Sequence, residues 1–167
     1  MSLKSNLVLI GMPGAGKSTL GVLLAKALGM SFVDTDILIQ QRENRLLQDI
    51  IDTDGIDSFI KIEEEVISKL NLENHIIATG GSAVYSKKAI EHLKENSEII
   101  YLHTTYKEMK KRVTNIKTRG IVIKSGHSLK DAYNERLPLY MEYSNIVVEC
   151  SGKDIEACIK EIIDKLN

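Results

Sequence analysis

Gly11-Met12-Pro13-Gly14-Ala15-Gly16-Lys17-Ser18-Thr19 decides the fold. It fills the pattern G-x-x-x-x-G-K-[ST] at every fixed position, and it sits between a short apolar run, Asn6 to Ile10, and a helical stretch, Ser18 to Leu28. That stretch places Leu20, Leu23, Leu24 and Ala27 on one stripe and ends at Gly29, where a C′ glycine is expected. Strand, glycine loop and helix in that order form a phosphate cradle. The glycines let backbone N–H groups turn inward, and the helix N-terminus adds roughly half a positive charge. Lys17 would reach the β- and γ-phosphates, the Ser18 hydroxyl would ligate Mg²⁺, and Gly14, Ala15, Gly16 and Thr19 complete the cradle. The bland alternative is a glycine turn that merely joins strand to helix, which the surrounding strand and helix argue against.

Outward from the loop, short β-branched runs alternate with segments of helical period. Ser31 to Val33, His75 to Ala78, Glu98 to Leu102 and Asn145 to Val148 read as further strands. Phe59 to Leu70 reads as a helix, with Phe59, Ile62, Val66, Ile67 and Leu70 on one face. Alternation of this kind calls for parallel strands joined by right-handed crossovers, so the expected class is α/β, a three-layer α/β/α sandwich around a five-stranded parallel sheet. A chain of 167 residues fits one domain, 1–167, and no repeat, linker or low-complexity tract interrupts it.

Composition narrows the partners. With 22 basic against 23 acidic residues, net charge supplies no general attraction for nucleic acid or an anionic membrane. Cys150 and Cys158 lack metal-ligand spacing and read as two free structural thiols. No apolar run approaches the roughly 18 residues of a membrane span, and Leu7 to Ile10 is too short for a signal-peptide core. The expectation is a cytoplasmic protein with no nucleic-acid or membrane partner, and a monomer by default.

A nucleoside triphosphate site does not name a reaction, since signalling GTPases and motor ATPases share the loop. Asp52-Thr53-Asp54-Gly55 spells D-x-x-G but follows a helical stretch, and no N-K-x-D motif accompanies it. Asp34-Thr35-Asp36, at the carboxyl end of the second strand, should face the same crevice as the loop. There Asp34 would hold Mg²⁺ or its waters, and Asp36 would bond an acceptor hydroxyl and help remove its proton. The alternative for Asp36 is an N-cap for a helix beginning at Ile37. A basic segment, Tyr106 to Lys124, carries seven cations against Glu108. It reads either as a lid over transferring phosphate, with Arg119-Gly120 in contact, or as a solvated face with Glu108 and Arg112 paired at i,i+4. His75, His92, His103 and His127 are dispersed, and Ser128-x-x-Asp131 marks a helix start.

Together these residues resemble the shikimate kinases, small kinases with the P-loop NTPase fold. The resemblance spans essentially the whole chain. It includes Asp34-Thr35-Asp36, Asp54-Gly55 to Phe59 followed by Ile62-Glu63, Thr79-Gly80-Gly81, Arg112 to Arg119, and Glu135-Arg136-Leu137-Pro138-Leu139-Tyr140. It implies ATP- and Mg²⁺-dependent transfer to the 3-hydroxyl of shikimate. By the same resemblance a lid at about 113–127 closes over ATP, Arg119 approaches the transferred group, Arg112 packs on adenine, Asp36 holds acceptor hydroxyls and Arg136 binds the acceptor carboxylate. Gly80, Gly81 and Ser82 would line the acceptor. The catalytic set is then Lys17, Asp36 and Arg119.

Two departures fall on the acceptor side. The family's F-R-x-x-E pattern reads Phe59-Ile60-Lys61-Ile62-Glu63, so Ile60 stands where an Arg binds shikimate's carboxylate. Lys61 is an imperfect substitute, one residue and about 100° further round a helix. Ser82 replaces the third glycine of the family's G-G-G turn. These departures keep two alternatives open: a kinase of the same fold for another small polyol or hydroxy acid, and a nucleotide-binding regulatory module without efficient transfer. Ser151-Gly152-Lys153 lies where an adenine loop would fall but matches no signature.

Overall fold

A computed structural model describes residues 4–113 and 120–167. Five strands, β1 (Asn6–Ile10), β2 (Ser31–Asp34), β3 (His75–Ala78), β4 (Ser97–His103) and β5 (Ile146–Glu149), form one parallel sheet in the order β2-β3-β1-β4-β5. The chain leaves β1 toward β2 and β3 on one side, then crosses to β4 and β5 on the other. Its switch point therefore lies at the carboxyl end of β1, where an open parallel sheet presents its ligand crevice.

Strand alternation divides the core into two layers. Val8 and Ile10 of β1 face one side, with Ile77, Ile99 and Tyr101, and are covered by α4 (Ile56–Ser68), α5 (Lys87–Asn96), α6 (Tyr106–Arg112) and α7 (Leu129–Tyr143). Leu7 and Leu9 face the other, with Ile76, Ile100 and Leu102, under α1 (Lys17–Leu28) and α8 (Ile155–Leu166). Both faces being covered explains why the strands read as unbroken apolar runs. Both cysteines are buried and free in the second layer. No helix among the described residues is long and apolar enough to cross a membrane.

A third apolar cluster stands apart from the sheet. Ile39 of α2 (Thr35–Glu43), Leu47 and Ile50 of α3 (Leu47–Asp54), Phe59 and Val66 of α4, and Val122 pack together. This satellite core fixes α2 to α4 as one wall of the crevice. Arg45 reinforces it by a two-pronged contact to Asp54, at 3.1 and 2.6 Å, at the end of α3, while the first aspartate of D-x-x-G, Asp52, accepts from Gln48 Nε2 at 2.9 Å within the helix.

The boundaries differ from the sequence reading at one informative place. β2 runs one residue further, to Asp34, and α2 starts at Thr35 rather than Ile37. The cap is Asp34, whose Oδ1 accepts the Asp36 N–H at 2.9 Å, so the capping alternative for Asp36 is corrected. The Asp36 side chain is thereby released toward the crevice. The expected start at Ser128 is a complete capping box with Asp131, opening α7.

Candidate functional site

The crevice at the end of β1 holds a cavity of about 280 Å³. The loop of residues 11–16 forms its floor, with Gly16 at φ 91 opening α1 and no side chain capping that helix among the described residues. The first-turn amides of α1 thus keep the donor capacity that suits an anion. Gly14, Gly16, Lys17, Ser18 and Thr19 line the cavity; Ala15 is buried behind them in the second core layer. Lys17 is nearly buried and its Nζ donates to the carbonyls of Gly11 and Met12 at 2.7 and 2.8 Å, which holds the ammonium over the loop.

Ser18 and Asp34 meet. The Ser18 hydroxyl donates to Asp34 Oδ2 at 2.6 Å, so one carboxylate caps α2 with one oxygen and reaches α1 with the other. Asp36 lines the same cavity. Loss of solvent there, reinforced by Asp34 and opposed by Lys17, raises its carboxyl to about 6.

The turn after β3 lies beside Asp36 and lines the cavity too. Thr79 donates from its N–H and its hydroxyl to the Leu9 carbonyl, at 3.2 and 2.9 Å, and the Tyr140 hydroxyl donates to the Gly81 carbonyl at 2.6 Å. These bonds hold Gly80 and Gly81 close against their neighbours. A Cβ on Gly80 would come within 2.7 Å of Asp36 Oδ1 and 2.8 Å of Glu63 Oε2. One on Gly81 would meet the Pro13 ring at 2.9 Å and Arg136 Nη1 at 3.2 Å. Arg136 is 1% exposed, donates to the Tyr85 hydroxyl at 3.1 Å and to the Val122 carbonyl, and lies over the Tyr85 ring. It lines the same cavity as Asp36.

Arg112 joins the site to a second, more apolar cavity of about 700 Å³, on the far side of the loop toward α8. Its Nη1 contacts the Gly14 carbonyl at 3.4 Å and its Nη2 lies 3.9 Å from Glu108, the i,i+4 partner expected from sequence. Lys153 and Ile155 line this second cavity, alongside Cys150 and Cys158. Arg119 and the lid residues 114–119 lie outside the described residues. Gly120 to Val122, which follow them, line the first cavity, and the Gly120 N–H donates to Gln48 on α3 at 3.3 Å.

The two departures sort differently. Ile60 is half-buried against the satellite core and is absent from the cavity lining, and Lys61 points to solvent as its helical position predicts. Ser82 does line the cavity, and its hydroxyl donates to Glu63 Oε1 at 2.8 Å. Glu63, the last residue of the Phe59-Ile60-Lys61-Ile62-Glu63 stretch, carries no role that the sequence alone assigns. Its spacing held the clue: four residues after Phe59 and three before Val66, it lies on the buried stripe of α4, where it is 1% exposed. Burial, then neighbouring Asp36, raises its carboxyl to about 8 against the pull of Ser82, Arg136 and Lys17. None of the four histidines lines either cavity, and no cluster of three metal-ligating side chains occurs among the described residues.

A phosphate loop at the switch point of a parallel sheet, facing a carboxylate and a guanidinium across a cavity sized for a small molecule, defines a P-loop kinase of small metabolites. Comparison with known proteins narrows the class. The family model for shikimate kinase matches residues 13–167. A shikimate kinase of Pasteurella multocida is 39% identical over 174 residues, covering all of this chain and 99% of its own, and one of Histophilus somni is 36% identical over 171 residues, covering 100% and 98%. Among solved structures, a shikimate kinase of Acinetobacter baumannii in complex with shikimate superposes with TM-score 0.89 at 28% identity, covering 99% of this chain and 93% of that one. The chain belongs to the shikimate kinase family, phosphotransferases that act on an alcohol acceptor.

Proposed function

We propose that the chain transfers the γ-phosphoryl group of ATP to the 3-hydroxyl of shikimate. The observation that carries this reading is the single cavity shared by Lys17, Asp36 and Arg136. Arg136 receives the acceptor's carboxylate, and a buried guanidinium with a preset orientation suits that fork. This leaves the acceptor's hydroxyls toward Asp36, which takes the proton as the oxygen attacks phosphorus. Lys17 offsets charge on the γ-phosphate oxygens, where electrostatic stabilisation does most of the work in phosphoryl transfer. Gly14, Ala15, Gly16, Ser18 and Thr19 hold the phosphates. Gly80, Gly81 and Ser82 form the acceptor wall. Arg112 borders the adenine in the cavity toward α8, and Arg119 approaches the transferred group from the lid of residues 113–127.

Mg²⁺ fits the oxygen pair Ser18 and Asp34, whose hard donors lie 2.6 Å apart beside the loop. Ser18 would ligate it directly and Asp34 through water, and when bound it neutralises phosphate charge. We read the protein as one cytoplasmic domain acting as a monomer. A second reading, another hydroxylated acceptor, draws on Ile60, which leaves Arg136 without a neighbouring guanidinium at that position. Phosphorus NMR of the reaction mixture tests both: a new phosphomonoester coupled to the C3 proton of shikimate is expected. A product formed only from another polyol or hydroxy acid would replace the first reading with the second, and ATP binding without any product would favour a regulatory module.

A further inference from the structure

The mechanism above leaves Glu63 without a role. This side chain comes from α4 and is sealed from solvent beside the cavity. The Ser82 hydroxyl donates to its Oε1 at 2.8 Å, which marks that oxygen as an acceptor. Its Oε2 has no hydrogen-bond partner among the described residues. The close approach to Gly80 shows where Oε2 lies. The position of a Gly80 Cβ lies 2.8 Å from Glu63 Oε2 and 2.7 Å from Asp36 Oδ1, so the two oxygens flank one spot that glycine leaves clear.

Two carboxylates converging in a site short of water cannot both carry charge at little cost, and one proton shared between them resolves the conflict. The surroundings decide which one holds it. Asp36 comes from α2 and opens onto the cavity; Glu63 is sealed. Lys17 from α1 and Arg136 from α7 face Glu63 as cations, Asp36 opposes them, and the Ser82 hydroxyl completes the set. A carboxylic acid matches the bonding pattern: its carbonyl oxygen accepts from Ser82, and its hydroxyl is left to donate.

We propose that Glu63 is a positioning residue for phosphoryl transfer: Ser82 fixes its Oε1, and a proton on Oε2 is donated to Asp36 Oδ1 across Gly80, leaving Asp36 Oδ2 for the acceptor hydroxyl. The inference rests on the reading that Asp36 meets that hydroxyl. Burial and the neighbouring Asp36, which raise Glu63 to about 8, agree with the proton's location. Ser82 thereby takes a purpose that a third glycine could not serve.

The experiment compares Glu63→Ala with Glu63→Gln, whose amide oxygen accepts from Ser82 and whose NH₂ donates to Asp36 without ionising. Glu63→Ala is expected to lower kcat about 10- to 100-fold, the worth of a hydrogen bond to a charged group, with KM for ATP unchanged. Glu63→Gln should recover most of that loss. It should also abolish the fall in kcat expected of the parent as pH passes about 8, where Glu63 would lose its proton. Infrared spectroscopy reads the proton independently of turnover: the parent at neutral pH should show a protonated-carboxyl C=O band that Glu63→Gln lacks. That readout separates failure of this inference from failure of the shikimate assignment, and it decides the matter if the alanine variant does not fold. A Gln variant as impaired as Ala, an Ala variant with parental kcat, or no acid band in the parent would each overturn the proposal.

Discussion

Ser18 Oγ donates to Asp34 Oδ2 at 2.6 Å, tying the first turn of α1 to the end of β2 across 16 residues of sequence. One carboxylate therefore does two jobs: its other oxygen caps α2 by accepting the Asp36 N–H, and the Asp36 side chain lines the cavity. The bond joins the phosphate loop's helix to the strand end that leads into Asp36. Asp34→Asn should keep the fold but raise the Mg²⁺ concentration giving half-maximal turnover about tenfold or more, as loss of an outer ligand partner does. A Mg²⁺ titration of initial rates checks it; an unchanged midpoint would remove Asp34 from the metal site.

Lys17→Met should lower kcat by about 10²- to 10³-fold, because the ammonium acts on charge that develops in the transition state. Far-UV circular dichroism should be unchanged, since the side chain's bonds to Gly11 and Met12 hold only the loop. Near-parental turnover would refute its placement.

Gly80→Ala is a test of close approach. Its methyl would have to displace Asp36 and Glu63 oxygens lying under 3 Å away, so kcat/KM for the acceptor should fall about tenfold or more while ATP affinity holds. Equal losses toward both substrates would mean that the whole crevice had shifted instead.

Stability should fall as pH rises, through Glu63. Its folded-state carboxyl sits near 8 against an ordinary 4.5, so the folded protein binds the proton more tightly and loses stability between those values. Glu63→Gln, with nothing to ionise, should melt several degrees above the parent at alkaline pH and close to it in mild acid. Thermal denaturation across that range measures the difference, and parallel curves would contradict the shift.

Ile60→Arg should lower KM for shikimate about tenfold with kcat little changed, since a second guanidinium adds a charge-assisted contact made equally in ground and transition states. Ile60 now packs against the satellite core beside Phe59, so an unchanged KM would show that position 60 does not reach the carboxylate.

The sheet was legible because its strands are short, β-branched and covered on both faces; all five fall within a residue or two of where their apolar runs place them. The loop of residues 11–19 announced the phosphate end for a local reason, as its chemistry lies in consecutive residues. The acceptor side was harder to read. Asp34 and Asp36 were found, but which one caps α2 depended on β2 extending one residue further. Glu63 escaped because its meaning comes from Ser82, 19 positions away, and from the close approach to Gly80. The Arg136 contacts to Tyr85 and Val122 likewise join distant segments, which no local period reveals.

The most direct test of the account is kcat/KM for shikimate, measured as ADP release from ATP and Mg²⁺ beside matched polyols that lack a carboxylate. The cavity shared by Lys17, Asp36 and Arg136 predicts turnover that depends on shikimate and drops about 10- to 100-fold or more when the carboxylate is absent. Equal turnover of the carboxylate-free polyols, or ADP release indifferent to any acceptor, would contradict it.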